Sequence, residues 1–360
     1  MGRLSRAETQ ERNRATVLAA ARAEFAERGF RDAKIDVIAE RAELTRGAVY
    51  SNFPGKRALY FAVLAAEAHE EHAGRPGSTL HEALGSLARA WITRPTFATG
   101  DNHGLGNDLL PEILADDAMR RPFTQLMKLD ALLLALAMER LRPPETSPGG
   151  PAARLVRTAE VVLTTLHGAG QLAAAAPGFV EPFDVISACE QLAGLPLNDY
   201  WAPRQVSPQP QPADEPWSPP RAIDVVRAEP ALLTGDGVVA VLGLHRIAAV
   251  EEAVRAGTEV VAVLVTSNPD ELAPLARLII SELAGCLRQA FPRSAWPRIQ
   301  VICDDTGAVA AAAGVPAVSD ETETAVRIEA GRVVARAEGR GACQAAALTS
   351  VRDAESHRPA

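Results

Sequence analysis

Between Thr45 and Lys56 the chain reads TRGAVYSNFPGK, which groups three hydroxyls, an amide and two cations within twelve residues. Thr45, Tyr50 and Ser51 each offer an O–H, Asn52 offers an N–H pair, and Arg46 and Lys56 carry positive charge. Donors and cations so placed suit anionic oxygen acceptors, and Gly47 and Ala48 between them leave room for a bulky partner to come close. No catalytic constellation of similar density occurs elsewhere. The four cysteines (Cys189, Cys286, Cys303, Cys343) form no CxxC or metal-ligand spacing, which argues against a disulfide framework and a zinc site. The GDG at 235–237 lacks the length and the Gly-Lys pair of a phosphate loop. We therefore expect no enzyme activity, no cofactor and no metal.

The elements around this stretch explain how it is held. A first helix is expected from Glu8 to Arg28, with Val17, Leu18, Ala21 and Phe25 on one stripe and Gly29 as its stop. A second runs Ile35 to Ala42, the turn Glu43-Leu44-Thr45 follows, and Thr45 caps a third helix, Arg46 to Phe53. Two short helices joined by three residues make a helix-turn-helix, whose second helix fits a major groove. The charge distribution agrees. The chain carries a net −8, yet residues 1–65 hold twelve Lys/Arg against eight Asp/Glu, so a basic head sits on an acidic remainder.

The segment VLAAARAEFAERGFRDAKIDVIAERAELTRGAVYSNFPGKRALYFAVL, residues 17–64, resembles the DNA-binding domain of the TetR family. Ala21, Phe25, Gly29-Phe30, Ile38-Ala39, Ala42, Thr45, Gly47, Tyr50, Phe53, Lys56 and Leu59 follow the family order without a gap. The resemblance implies that Thr45, Tyr50 and Lys56 meet phosphate, that Arg46, Ala48 and Ser51 meet base edges, and that Asn52 meets either. Gly47 then permits close approach, and Arg3 and Arg6 lie in an N-terminal arm that either enters the minor groove or stays unstructured. Two departures stand out: Lys34 where the family usually caps its second helix with Thr, and Glu43 where the turn usually holds Gly.

Beyond the head, residues 66–202 read as helical: Leu80–Thr93, Asp108–Ala115, Pro122–Leu141, Ala152–Ala175 and Pro182–Gly194. By resemblance this body binds an unknown small-molecule effector and forms a homodimer through its last two helices. Asp101, Asn102, His103 and Asp108 either gather around a metal or polar effector or form a solvated connection; His167 is an interface histidine or a ligand contact. Residues 203–220, with seven prolines, read as a stiff linker. After it, GVVAVLGL (237–244), EVVAVLVT (259–266) and IQVICDD (299–305) alternate with helices. A hairpin at Ala330-Gly331 and a last helix near 342–349 follow. The expected fold class is thus multi-domain. An all-α TetR-like region comprises the head (1–65) and body (66–202), and an α/β unit covers 221–355. That last order resembles a thioredoxin-like fold without its chemistry, since Ser267-Asn268-Pro269-Asp270 stand where a redox Cys would open a helix.

The function so implied is a cytoplasmic, effector-responsive repressor that binds a palindromic double-stranded DNA operator. No run of residues is apolar enough for a membrane span. The alternative gives the tail the main activity, either as a thiol-responsive unit through Cys343 or as a platform for a protein partner.

Overall fold

The computed structural model describes residues 5–68, 74–94, 105–106, 108–142, 154–197, 199 and 207–349. The head is helical. Helix α1 spans Arg6–Asp32, opened by a capping box in which Glu8 N donates to Ser5 Oγ (3.2 Å) and Ser5 N to Glu8 Oε2 (2.7 Å). Gly29 interrupts it at φ 71°, as its position in the sequence suggests, and a further turn then runs to Asp32. Helices α2 (Ile35–Arg41) and α3 (Arg46–Asn52) follow, then α4 (Lys56–Ala68). Phe25, Phe30 and Tyr60 pack together, with ring centroids 5.3 Å apart for Phe25–Tyr60 and 4.9 Å for Phe30–Tyr60. Because α4 continues through residue 65, head and body share a helix where a boundary was expected.

The body comprises α5 (Leu80–Ile92), α6 (Leu109–Leu114), α7 (Asp117–Leu141), α8 (Val156–Ala175) and α9 (Pro182–Leu192). Helix α7 begins five residues before Pro122, where Asp116 Oδ1 accepts from Ala118 N at 3.0 Å, and carries that proline in its second turn. Helix α8 starts at Val156, four residues later than the sequence suggests. No described helix is long and apolar enough to cross a membrane.

The tail contains strands β1 (Gln211–Pro216), β2 (Ile223–Asp224), β3 (Glu229–Pro230), β4 (Gly237–Gly243), β5 (Val260–Val265), β6 (Gln300–Cys303), β7 (Glu323–Glu329) and β8 (Arg332–Glu338). Six of them form a mixed sheet in the order β1-β8-β7-β4-β5-β6, while β2 and β3 make a small separate ladder. Strands β4, β5 and β6 are parallel; β7, β8 and β1 run antiparallel to their neighbours. Helices α10 (Val250–Arg255), α11 (Pro269–Ala290), α12 (Ala308–Ala312) and α13 (Ala342–Leu348) complete the unit. The alternation of valines and alanines in β4 and β5 sends Val238, Ala240, Leu242, Val260, Ala262 and Leu264 into one core. Val239, Val241, Val261, Val263 and Val265 enter another on the opposite face. Both faces are therefore covered, as the fully apolar strands require.

Two expectations need correction. The proline-rich segment is no free linker from 211 onward: β1 pairs with β8 at the sheet edge, and Trp217 is buried with its Nε1 donating to Leu233 O at 2.7 Å. Prolines are tolerated there because an edge strand leaves one row of N–H groups unused. Nor is the tail merely tethered. Helix α11 packs on α4, α5 and α7, and one continuous core runs from Val17 in the head through Leu133 in the body to Ala346 in the tail.

A shared core predicts shared unfolding. Leu283→Ala, a deletion at a fully buried position of α11, should destabilise by about 2–5 kcal/mol. It should lower the unfolding midpoint of head, body and tail together when hydrogen exchange is followed in denaturant. A head that keeps wild-type protection while the tail opens would contradict this.

Candidate nucleic-acid interface

The recognition segment is built on one buried contact and several local bonds. Val49 is buried in α3 and Phe53 closes that helix against the core, while Thr45, Arg46, Gly47, Tyr50 and Ser51 remain exposed. Thr45 is the N-cap, its Oγ1 accepting from Ala48 N at 3.2 Å. The Ser51 hydroxyl (2.9 Å) and the Asn52 amide (2.8 Å) both donate to Ala48 O. Arg46 reaches back to Asp36 at 3.2 Å and lies 5.6 Å from the Tyr50 ring centroid; the Tyr50 side chain holds Arg46 above its ordinary pKa. The face formed by Arg46, Gly47, Tyr50 and Ser51 thus points to solvent, with its cation pre-aligned by an aromatic ring.

Gly47 is informative for what surrounds it. A Cβ there would meet only Thr45 Oγ1, at 3.9 Å, so no internal crowding calls for glycine. A glycine inside a helix is unfavourable by roughly 0.5–1 kcal/mol relative to alanine.

Lys56 behaves differently from the expectation of a free phosphate contact. Its Nζ donates to Arg31 O at 2.9 Å and sits 4.7 Å from the Phe30 ring, and burial pulls its pKa down. In this state the ammonium caps the end of α1. Arg6 opens α1, so the helix has already begun where an extended arm was expected; Arg3 lies outside the described residues. Asp101, Asn102 and His103 also lie outside them. Asp108 is described, and its carboxylate accepts from Phe30 N at 2.8 Å, tying the body to the head. Among the described residues no group of three or more His, Cys, Asp or Glu could hold a metal ion.

The two sequence departures have visible consequences. Lys34 makes no side-chain cap, and its N–H instead donates to Glu24 Oε1 at 3.3 Å. Glu24 is fully buried and also lies 3.3 Å from both Arg28 and Arg41. Glu43 adopts φ 54°, the left-handed conformation a glycine would take without strain. Sequence reading missed Glu24, Asp36 and Arg14. Arg14 donates to Asn52 O at 3.2 Å and stacks 4.4 Å from the Phe53 ring, fixing the exit of α3. The signal for Glu24 was an acid on the apolar stripe of α1; Arg14 and Asp36 gave none beyond their charge.

Residues 17–63 match the family model for bacterial regulatory proteins, tetR family. The head is thus similar in sequence to TetR-family helix-turn-helix domains. An uncharacterized HTH-type transcriptional regulator, TtgW of Pseudomonas putida, is 44% identical over 69 residues, which cover 19% of this chain and 51% of that protein. The chain thus spans about half the length of this curated relative. A crystal structure of a TetR transcriptional regulator from Rhodococcus sp. RHA1 aligns over 52% of this chain and 95% of that one, with a TM-score of 0.36 and 19% identity.

The TetR-like head is followed by a groove in the body, about 640 Å³ in volume, between α7 and α8. Phe123, Met127 and Leu163 give it an apolar lining, with Thr164, His167 and Gln171 as polar members and Lys128 and Glu160 as a charge of each sign. Its size lies in the range of small-molecule sites. Elsewhere on α7, Asp130 is 2% exposed, and Oδ1 makes no hydrogen bond among the described residues. Burial raises its pKa well above 3.8, Glu282 adds to the rise and Arg94 opposes it. Burial favours the protonated form of three thiols: desolvation lifts Cys189 to about 11 and Cys303 to about 12, and Cys286 is raised as well.

These environments are open to test by substitution. Lys34→Thr should restore a cap and Glu43→Gly should remove strain, each adding about 1 kcal/mol to stability; unchanged denaturation midpoints would refute both accounts. Asp130 binds its proton more tightly folded than unfolded, so its contribution is full below the unfolded pKa and is lost as pH rises toward the folded one. Asp130→Asn should remove that decline, which urea titrations over a pH series from acid to neutral would show as a flatter stability profile.

Proposed function

We propose that the protein is a transcriptional regulator that binds a palindromic operator as a homodimer, releases it when a small molecule occupies the helical body, and acts by repression. The exposed face of α3, with an internally unneeded Gly47 beside Arg46 and Tyr50, carries the DNA-binding part of this reading. Thr45, Tyr50 and Lys56 serve as phosphate contacts, while Arg46, Ala48 and Ser51 read base edges and Asn52 serves either. Lys56 must leave Arg31 O to do so, a short movement of a flexible stem.

Support for the homodimer comes from apolar residues left in solvent at the α8–α9 end. Phe179 and Phe183 are 73% and 76% exposed, Leu172 is also exposed, and Gly168 has nothing within 4 Å of a Cβ position. Large exposed rings grouped in this way mark an association surface. The groove between α7 and α8 supports effector binding.

For the tail we propose a thioredoxin-like form without enzymatic or redox chemistry. The strand order β5-β4-β7-β8 supports the form, with a parallel pair followed by an antiparallel hairpin and α13. Raised thiols at Cys189, Cys286 and Cys303, and the burial of Cys343, weigh against a thiol switch.

Anisotropy with the DNA upstream of the protein's own coding region, using the full chain at several salt concentrations, tests the reading. Wild type should bind with a steep salt slope. Tyr50→Ala/Lys56→Ala should weaken binding at least tenfold. Gly47→Ala should raise thermal stability while lowering operator affinity, a pairing that a purely structural role for Gly47 excludes. Equal, weak binding of wild type and variants to any DNA would sink the proposal.

A further inference from the structure

Beside the groove lies a smaller chamber of about 50 Å³, lined by Trp91, Arg94, His167, Gln171, Ile279 and Glu282 among others. Leu110, Phe123, His167 and Gln171 line both spaces, so the two adjoin at these side chains. Ile279 and Glu282 belong to α11, which is part of the tail. A volume of this size holds about three water molecules or a head group of a few heavy atoms.

The chamber's chemistry is balanced. Arg94 Nη1 stands 3.7 Å from Glu282 Oε1, an ion pair too long for a hydrogen bond, and that buried nitrogen makes none among the described residues. The Arg94 guanidinium also lies 5.4 Å from the Trp91 ring centroid. His167 Nδ1 is 2.9 Å from Leu163 O, so it carries the proton there and leaves Nε2 as an acceptor. Burial favours the neutral imidazole. The site thus sets the Arg94 donor against the Glu282 and His167 acceptors at zero net charge, with the Gln171 amide able to serve either way. A carboxylate head would face Glu282 and an ammonium head would face Arg94, each at close range in a poorly solvated space.

We infer that α11 supplies the polar end of the effector site. Its ligand is an uncharged amphipathic molecule with a hydroxyl- or amide-type head between Arg94, Glu282 and His167 and its apolar body in the α7–α8 groove. This rests on the effector-responsive reading above and adds the ligand class and the tail's part in binding it. The same helix carries the signal onward. At Gly285, three residues past Glu282, a Cβ would lie 3.0 Å from Ala68 O of α4 and 3.5 Å from Arg94 Nη2. The backbones of α11 and α4 are thus closely packed one turn beyond Glu282, so a shift of α11 at the chamber is transmitted to α4.

The test uses the full-length protein with the neutral dye Nile red bound in the groove, displaced by 1-decanol, decanoate or decylammonium. In wild type, decanol should displace the dye at concentrations at least tenfold below either charged analogue. Glu282→Gln should improve decanoate at least tenfold, and Arg94→Gln should do the same for decylammonium, with decanol little changed. The two variants shift preference in opposite directions, which a general loss of folding does not produce. Equal displacement by all three heads, with both variants silent, would overturn the role of α11 while leaving a ligand-binding groove. Failure of the dye to bind at all would overturn both this inference and the effector reading.

Discussion

Helix α11 has almost no face to give to water, and that constraint organises the molecule. Leu272, Leu275, Leu278, Ile279, Ile280, Leu283, Cys286 and Leu287 are all buried over a wide arc of the helix, and Glu271, Arg277, Glu282 and Arg288 form a half-buried polar stripe on the remaining side. An apolar face this wide is stable only when enclosed. The sheet supplies one wall and α4, α5 and α7 supply the others. Removing either partner would leave a long apolar surface in solvent, so the α/β tail and the helical body are obligate neighbours. Secondary contacts follow the same seam. Ala248 N donates to Gln125 Oε1 at 2.9 Å, and Arg121 pairs with Glu321 at 2.6 Å.

The head shows the reverse arrangement. Its local imperfections gather around the exposed face of the helix-turn-helix: a left-handed Glu43, an uncapped Lys34, and a glycine with open space around it. Each is locally unfavourable by about 1 kcal/mol. The aromatic core of Phe25, Phe30 and Tyr60, together with the buried Glu24 that serves Lys34 N, Arg28 and Arg41, holds the helices in place despite them. Strain tolerated beside an interface and offset elsewhere is common at functional sites.

How much of this was legible in the residues depends on the range of the signal. The helix-turn-helix was, because Gly29, the 43–45 turn and the Thr45 cap are local features with fixed offsets. The strands were also, because GVVAVLG and VVAVLV leave no alternative to burial on both faces. The proline-rich segment misled: composition reports what a segment prefers alone, while β1 exists because β8 offers an edge and Trp217 an anchor. The seating of α11 on α4 was invisible for the same reason. Its sequence, PDELAPLARLIISELAGCLRQA, announces a wide buried face without naming the partner. Glu24, an acid on an apolar stripe, needed the positions of Arg41 and Lys34 in space before it made sense.

The shared core also sets terms for any switch. In the proposed homodimer, a ligand would change operator affinity only to the extent that it binds one arrangement of the two heads better than another. In a body connected to its head by α4 alone, that difference is transmitted by one helix. Here α4 is held along its length by α11, and α11 is fixed to a six-stranded sheet. A head can therefore move only if α11 slides with α4 or separates from it, and packed cores prefer discrete arrangements to gradual ones. Small glycine contacts at such a seam, such as Gly285 against Ala68, let two helix backbones lie close enough for a shift in one to be felt by the other. In the proposed switch the tail thus contributes stiffness, by which a modest difference in ligand affinity would become a choice between two states.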